Sequence, residues 1–109
     1  MLENVDIGIK LHGGQKTILT TATETVDAIL FTTSLSNTWI LQVVCGTKSE
    51  HSIVAGIKTL ADIEHIRYGV SGDYINYALD VVIDGLEMKL SITNNEGSSI
   101  IIKFVRIFV

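Results

Sequence analysis

The chain has no proline and a single cysteine among its 109 residues. One cysteine excludes an internal disulfide. Cys45 reads as a small apolar side chain in a strand, since a reactive thiol needs a cationic neighbour that the sequence does not supply. Charge is scarce: Asp, Glu, Lys and Arg make up 18% of the chain and leave it at −4. No basic stripe exists, so a nucleic-acid partner is not expected. Long apolar runs are missing too. The most apolar stretch, residues 100–109, is broken by Lys103 and Arg106 and is about half as long as a membrane helix requires. The opening "MLENVDIGIK" carries early acids and no apolar core, unlike a secretion signal. A soluble protein made in the cytoplasm, with no membrane partner, is expected.

Apolar residues are plentiful at 47%, and Val, Ile and Thr dominate. Their branched side chains suit the pleated surface of a sheet. A chain of this length makes one domain, residues 1–109, burying roughly two-thirds of its unfolded surface. Short apolar runs recur between turn-like clusters, the pattern of an all-β antiparallel sandwich, jelly-roll-like or immunoglobulin-like.

Taken in order, "VDIGIKLH" (5–12) alternates with period two and predicts a half-buried strand. "GGQ" (13–15) predicts a turn, and "KTILTTA" (16–22) and "VDAILFTTSL" (26–35) predict further strands around a loose "TETVD". "SNT" (36–38) predicts a turn, "WILQVVC" (39–45) a strand, and "GTKSE" (46–50) its end. Residues 51–70 are ambiguous. Ile53, Ile57, Leu60, Ala61 and Glu64 approximate a helical stripe, while "SIVAGI" and "DIEHIRYGV" read as two strands joined at "KTLA".

The best-specified stretch is "DVVIDGLEMKLSITNN" (80–95). Asp84-Gly85 between two alternating runs predicts a type I′ hairpin. That register sets Ile83 opposite Leu86, Val81 opposite Met88, Leu79 opposite Leu90 and Tyr77 opposite Ile92, with all eight on one face. On the other face Val82 meets Glu87, and Asp80 meets Lys89. "NNEGSS" (94–99) turns the chain into the closing strand. There Ile100, Ile102, Phe104 and Phe108 share a face with Arg106, and Ile101, Val105, Ile107 and Val109 share the other with Lys103. A strand apolar on both faces is central in a sandwich or covered by another subunit. Ile101, Phe104, Val105, Arg106, Ile107 and Phe108 are therefore candidate interface residues.

Chemistry is hard to find. His12, His51 and His65 have no metal-motif spacing. The densest polar cluster, "DIEHIR" (62–67), would as a strand point His65 and Arg67 one way and Asp62 and Glu64 the other, and reads as a solvated strand. Gly13 and Gly14 precede Lys16 without phosphate-loop spacing. Trp39 and the tyrosines 68, 74 and 77 can stack on sugars but serve equally as core or interface. No catalytic residue, metal or cofactor is expected.

From His65 to Ile107 the sequence resembles a group of small β-sandwich virion proteins of tailed bacteriophages. The shared elements are Tyr68-Gly69, the alternating strand Leu79–Ile83, Asp84-Gly85, the return strand Met88–Ile92, Asn94-Asn95 and the final strand Ile102–Arg106. The resemblance covers roughly residues 50–107 and brings no catalytic residues with it. It implies a structural role in a virion: a capsid decoration (cement) protein on the assembled shell, or a neck, tail or fibre component. It also implies a homo-oligomer, with a trimer as the form suggested by local threefold positions, and other virion proteins, such as the major capsid protein, as partners. The competing expectation is a carbohydrate- or receptor-binding sandwich, which would cluster exposed aromatics with Asp and Asn on one rim.

Overall fold

Eight strands and two antiparallel sheets describe residues 10–108 in a computed structural model of the chain. The strands are β1 (Lys10–Ile18), β2 (Thr23–Leu30), β3 (Ser36–Cys45), β4 (Lys48–Lys58), β5 (Ile63–Gly72), β6 (Tyr77–Asp84), β7 (Glu87–Asn94) and β8 (Ile100–Phe108). The larger sheet has the order β1-β8-β3-β4-β5 and the smaller β2-β7-β6. The first strand pairs with the last and the second with the seventh, a nesting of the jelly-roll kind. Strands β3 to β5 instead meander within one sheet.

The sheets pack through alternate side chains. Trp39, Leu41, Val43, Val54, Ile100 and Ile102 from the larger sheet meet Val81, Met88, Leu90 and Ile92 from the smaller, all buried. Trp39 fits beneath Gly56, where a Cβ would stand 3.3 Å from the indole and 3.2 Å from Val81 across the core. The closing strand lies between β1 and β3, paired on both edges, but only one of its two apolar faces enters the core. Residues 51–70 form strands, and the helical stripe is not used.

Several local expectations are corrected. Gly13-Gly14-Gln15 is not a turn but the middle of β1. Gly14 is there for space: a Cβ would come within 2.8 Å of the Phe104 ring on the neighbouring strand. Residues 16–22 divide between β1 and a turn that crosses between the sheets, and "TETVD" belongs to β2. Ser36-Asn37-Thr38 opens β3. The turn lies earlier, where Ser34 Oγ donates to the Ser36 carbonyl at 2.8 Å and Thr33 N donates to the Leu30 carbonyl. Of the strand expected over residues 5–12, residues 5–9 lie outside the described residues, as does Val109.

The hairpin of β6 and β7 forms with its turn one residue later than expected. Asp84 pairs with Glu87, leaving Gly85-Leu86 as the loop. Gly85 has φ 61° and Leu86 has no positive φ, so the turn is of the II′ kind and needs positive φ only at the glycine. A type I′ turn would have asked it of Asp84 as well. Val81 now faces Leu90, Leu79 faces Ile92 and Ile83 faces Met88. Because each cross-strand partner moves by two, the same residues still point inward. Val81, Met88 and Leu90 are buried and Leu79 packs against them, while Leu86 is left exposed at the tip. Lys89 faces Val82 rather than Asp80 and takes Asp84 as its ion partner at 2.7 Å.

Candidate functional site

Charged side chains enter the sandwich in two separate clusters. The first is made by a β-bulge. Strand β2 slips register between Thr25 and Asp27, so Val26 and Asp27 are both buried. Strict alternation from Thr25 would have turned Asp27 outward; the bulge re-aims it into the core. There its Oδ2 accepts from Trp39 Nε1 at 2.8 Å and from Arg106 Nη1 at 2.5 Å. The Arg106 guanidinium also lies 4.6 Å from the Phe108 ring. His12 Nε2 stands 3.8 Å from the other carboxylate oxygen.

The second cluster joins β4, β5 and β6. Glu50, 4% exposed, accepts from Arg67 and, at 2.5 Å, from the Tyr77 hydroxyl. Burial and the hydrogen bond to Glu50 raise the Tyr77 phenol well above its ordinary pKa. It therefore stays protonated and serves as a donor, not as a base or nucleophile. The other hydrogen bonds of both clusters likewise run between sheets or strands and end on protein groups, which makes the clusters internal ties. His65 and Arg67 do point to the opposite face from Glu64. His65 Nδ1 reaches Asp80 at 3.9 Å. His51 lies on the other side of the sheet beside Gln42. Among the described residues no three His, Cys, Asp or Glu side chains gather as a metal site requires. Cys45 is buried at the end of β3, with Ser98 Oγ 3.4 Å from its sulfur.

The outward faces of the two sheets differ sharply. The smaller sheet shows solvent mainly polar side chains, Thr23, Asp80, Lys89, Ser91 and Thr93 among them, with Ala28, Leu30, Ala78 and Val82 the apolar ones. The larger sheet shows the reverse. Strand register aligns its outward residues into rows across all five strands. One row runs Gly13, Val105, Ile40, Ile53, Tyr68, and the next Leu11, Ile107, Thr38, Ala55, Ile66. Leu11 is 69% exposed, Ile66 61% and Tyr68 46%. A polar row, Gln15, Lys103, Gln42, His51, Ser71, borders them on one side. Between this border and the apolar rows lies a shallow open depression of about 620 Å³, touching Gln15, Ile40, Gln42, His51, Lys103 and Val105.

The candidate interface residues of β8 divide by face. Ile101, Val105 and Ile107 belong to the outward face. Phe104 and Arg106 point inward and are buried, and Phe108 is half-buried beneath Arg106. Sequence reasoning missed the larger part of the surface, namely Leu11, Ile40, Ile53, Ile57, Ile66 and Tyr68. The signal was present: "SIVAGI" is apolar on both faces of its strand, as β8 is. Comparison with protein-family models, curated proteins and solved structures gave no match.

Proposed function

We propose that this chain is a structural subunit of a larger assembly, a virion protein of the tailed-bacteriophage type that decorates the assembled capsid shell. One observation carries the assembly role: the outer face of the five-stranded sheet is apolar across its width and left uncovered by the described residues, while the opposite face of the sandwich is mainly polar. Isolated apolar side chains on a surface need no explanation, but a contiguous patch marks an interaction site. The virion setting rests on the resemblance over residues 50–107, whose strand and turn elements here build β5 to β8. In this reading the sheet is the working part, and the buried polar clusters tie it to the smaller sheet.

A second reading, a carbohydrate- or receptor-binding module, draws on Tyr74, 76% exposed in the same loop as Asp73 and Asn76. It is the weaker reading because Trp39 and Tyr77 face inward, with Trp39 fully buried. The deciding experiment is quantitative mass spectrometry of purified particles from the source in which the gene is expressed. Many copies per particle are expected. A chain absent from every particle fraction would overturn the virion role.

A further inference from the structure

We propose that the outer face of the five-stranded sheet docks on the same face of a second copy of this chain, related to it by a two-fold axis. The proposal rests on the assembly reading above and names the occupant of its surface.

Size is the first argument. Five strands of nine to eleven residues span a face of about 700 Å² in projection at ordinary strand spacing and rise. A stable specific interface buries about 800 Å² on each partner. The face is thus the size of one standard interface, and its middle is apolar with polar residues at the border, as such interfaces are built. Formal charge is nearly absent: Lys103 and Glu64 are the charged residues among the described outward positions, one on each side of the apolar rows.

Shape is the second argument. Consider an axis lying between the copies, at right angles to the strands and midway between the two apolar rows. Each strand then stacks on its own copy, and each row stacks on the other. Leu11 falls over Gly13, Ile40 over Thr38 and Ile53 over Ala55, so that large meets small on three of the five strands. Val105 meets Ile107 and Tyr68 meets Ile66. An axis parallel to the strands does worse. It puts Ile40 on Ile40 at the centre and Lys103 over His51. Interdigitation of large and small side chains is how stacked sheets fill the layer between them. A face complementary to itself in this way closes as a pair. The trimer implied by the resemblance would have to use the edge strands β1 and β5 instead.

The test is sedimentation equilibrium of the purified full-length chain, with Ile40→Lys and Ile66→Lys as variants. Ile40 is at the centre of the face and Ile66 on its edge strand, 37% and 61% exposed, so neither change opens the core. Val82→Lys, on the outer face of the smaller sheet, is the control. A dimer is expected for the parent and the control. Ile40→Lys should weaken it by about thirtyfold or more, the scale of losing a central hot spot, and Ile66→Lys by less, with circular dichroism unchanged. A monomeric parent, a trimer, or a dimer that tolerates both face variants would overturn the proposal. The two readings separate cleanly. A monomer that still enters particles removes the dimer and leaves the virion role. A face-to-face dimer never found in particles does the opposite.

Discussion

Removing one member of the Asp27–Arg106 pair should destabilise the fold far more than removing both. The two side chains are 6% and 7% exposed and lie 2.5 Å apart, so each charge depends on the other. Arg106→Met leaves the Asp27 carboxylate buried with only the Trp39 N–H and a distant His12 to answer it. Asp27→Leu leaves a buried guanidinium and an unpaired indole N–H. Breaking a buried ion pair costs about 3–5 kcal/mol, a large part of the roughly 5–15 kcal/mol that holds a domain folded. The double variant removes both charges. What remains is the orphaned Trp39 N–H, costing about 1–3 kcal/mol. The double variant should therefore be more stable than either single one, with a coupling energy of at least about 3 kcal/mol against the sum of the singles. Urea titrations followed by Trp39 fluorescence measure this, because a change in midpoint at constant slope reports stability directly. Singles that each cost under about 1 kcal/mol, or that simply add in the double variant as independent sites do, would refute the pairing and with it the bulge that aims Asp27 inward.

Leu90→Ala removes a fully buried side chain in the central strand of the smaller sheet and should cost about 2–5 kcal/mol, read as a lower urea midpoint; a loss under about 1 kcal/mol would place Leu90 outside the core. Glu96 has its pKa held below the ordinary 4.5, first by the hydrogen bond from the Asn76 backbone N–H and then by Lys48. Its contribution to stability is thus complete above pH 4.5 and is lost as pH falls through the depressed value. Glu96→Gln should flatten the fall of the thermal midpoint in that acid range, and an unchanged acid profile would show that the carboxylate does not hold this turn.

The parts of this structure legible in the sequence are those decided by neighbours along the chain. Period-two alternation marks Met88, Leu90 and Ile92 as an inward set, and apolar residues on both faces of β8 mark a strand whose outer face stays apolar. The illegible parts are decided at a distance. Gly13-Gly14 has the composition of a turn. Gly14 is glycine because of the ring of Phe104, ninety residues later in the chain and adjacent only once β1 and β8 have paired. The bulge at Val26 has no signature, because "TETVD" alternates plausibly in either register. Gly85 sets the hairpin turn, but Asp84-Gly85 and Gly85-Leu86 both supply a two-residue loop. The bare face could not be found from one strand. It exists because five strands stand against three, and the apolar outward residues of β3, β4 and β5 become a surface only when their rows align.

The pairing of β1 with β8 also governs when the fold can form. Among the described residues strand β8 is the only bridge between β1 and the rest of its sheet, so β1 has no place in the sheet until β8 arrives. The meander β3–β4–β5 and the hairpin β6–β7 can close early, each at small loop cost. Joining the ends must wait and must overcome the entropy of the whole intervening chain. During synthesis the apolar halves of the sandwich therefore emerge well before the strand that seals them. In that interval β3 has an open edge where β8 belongs, and an unpaired edge will accept a strand from another chain. Slow refolding, and at high concentration exchange of β8 between copies, are the kinetic signature this topology carries.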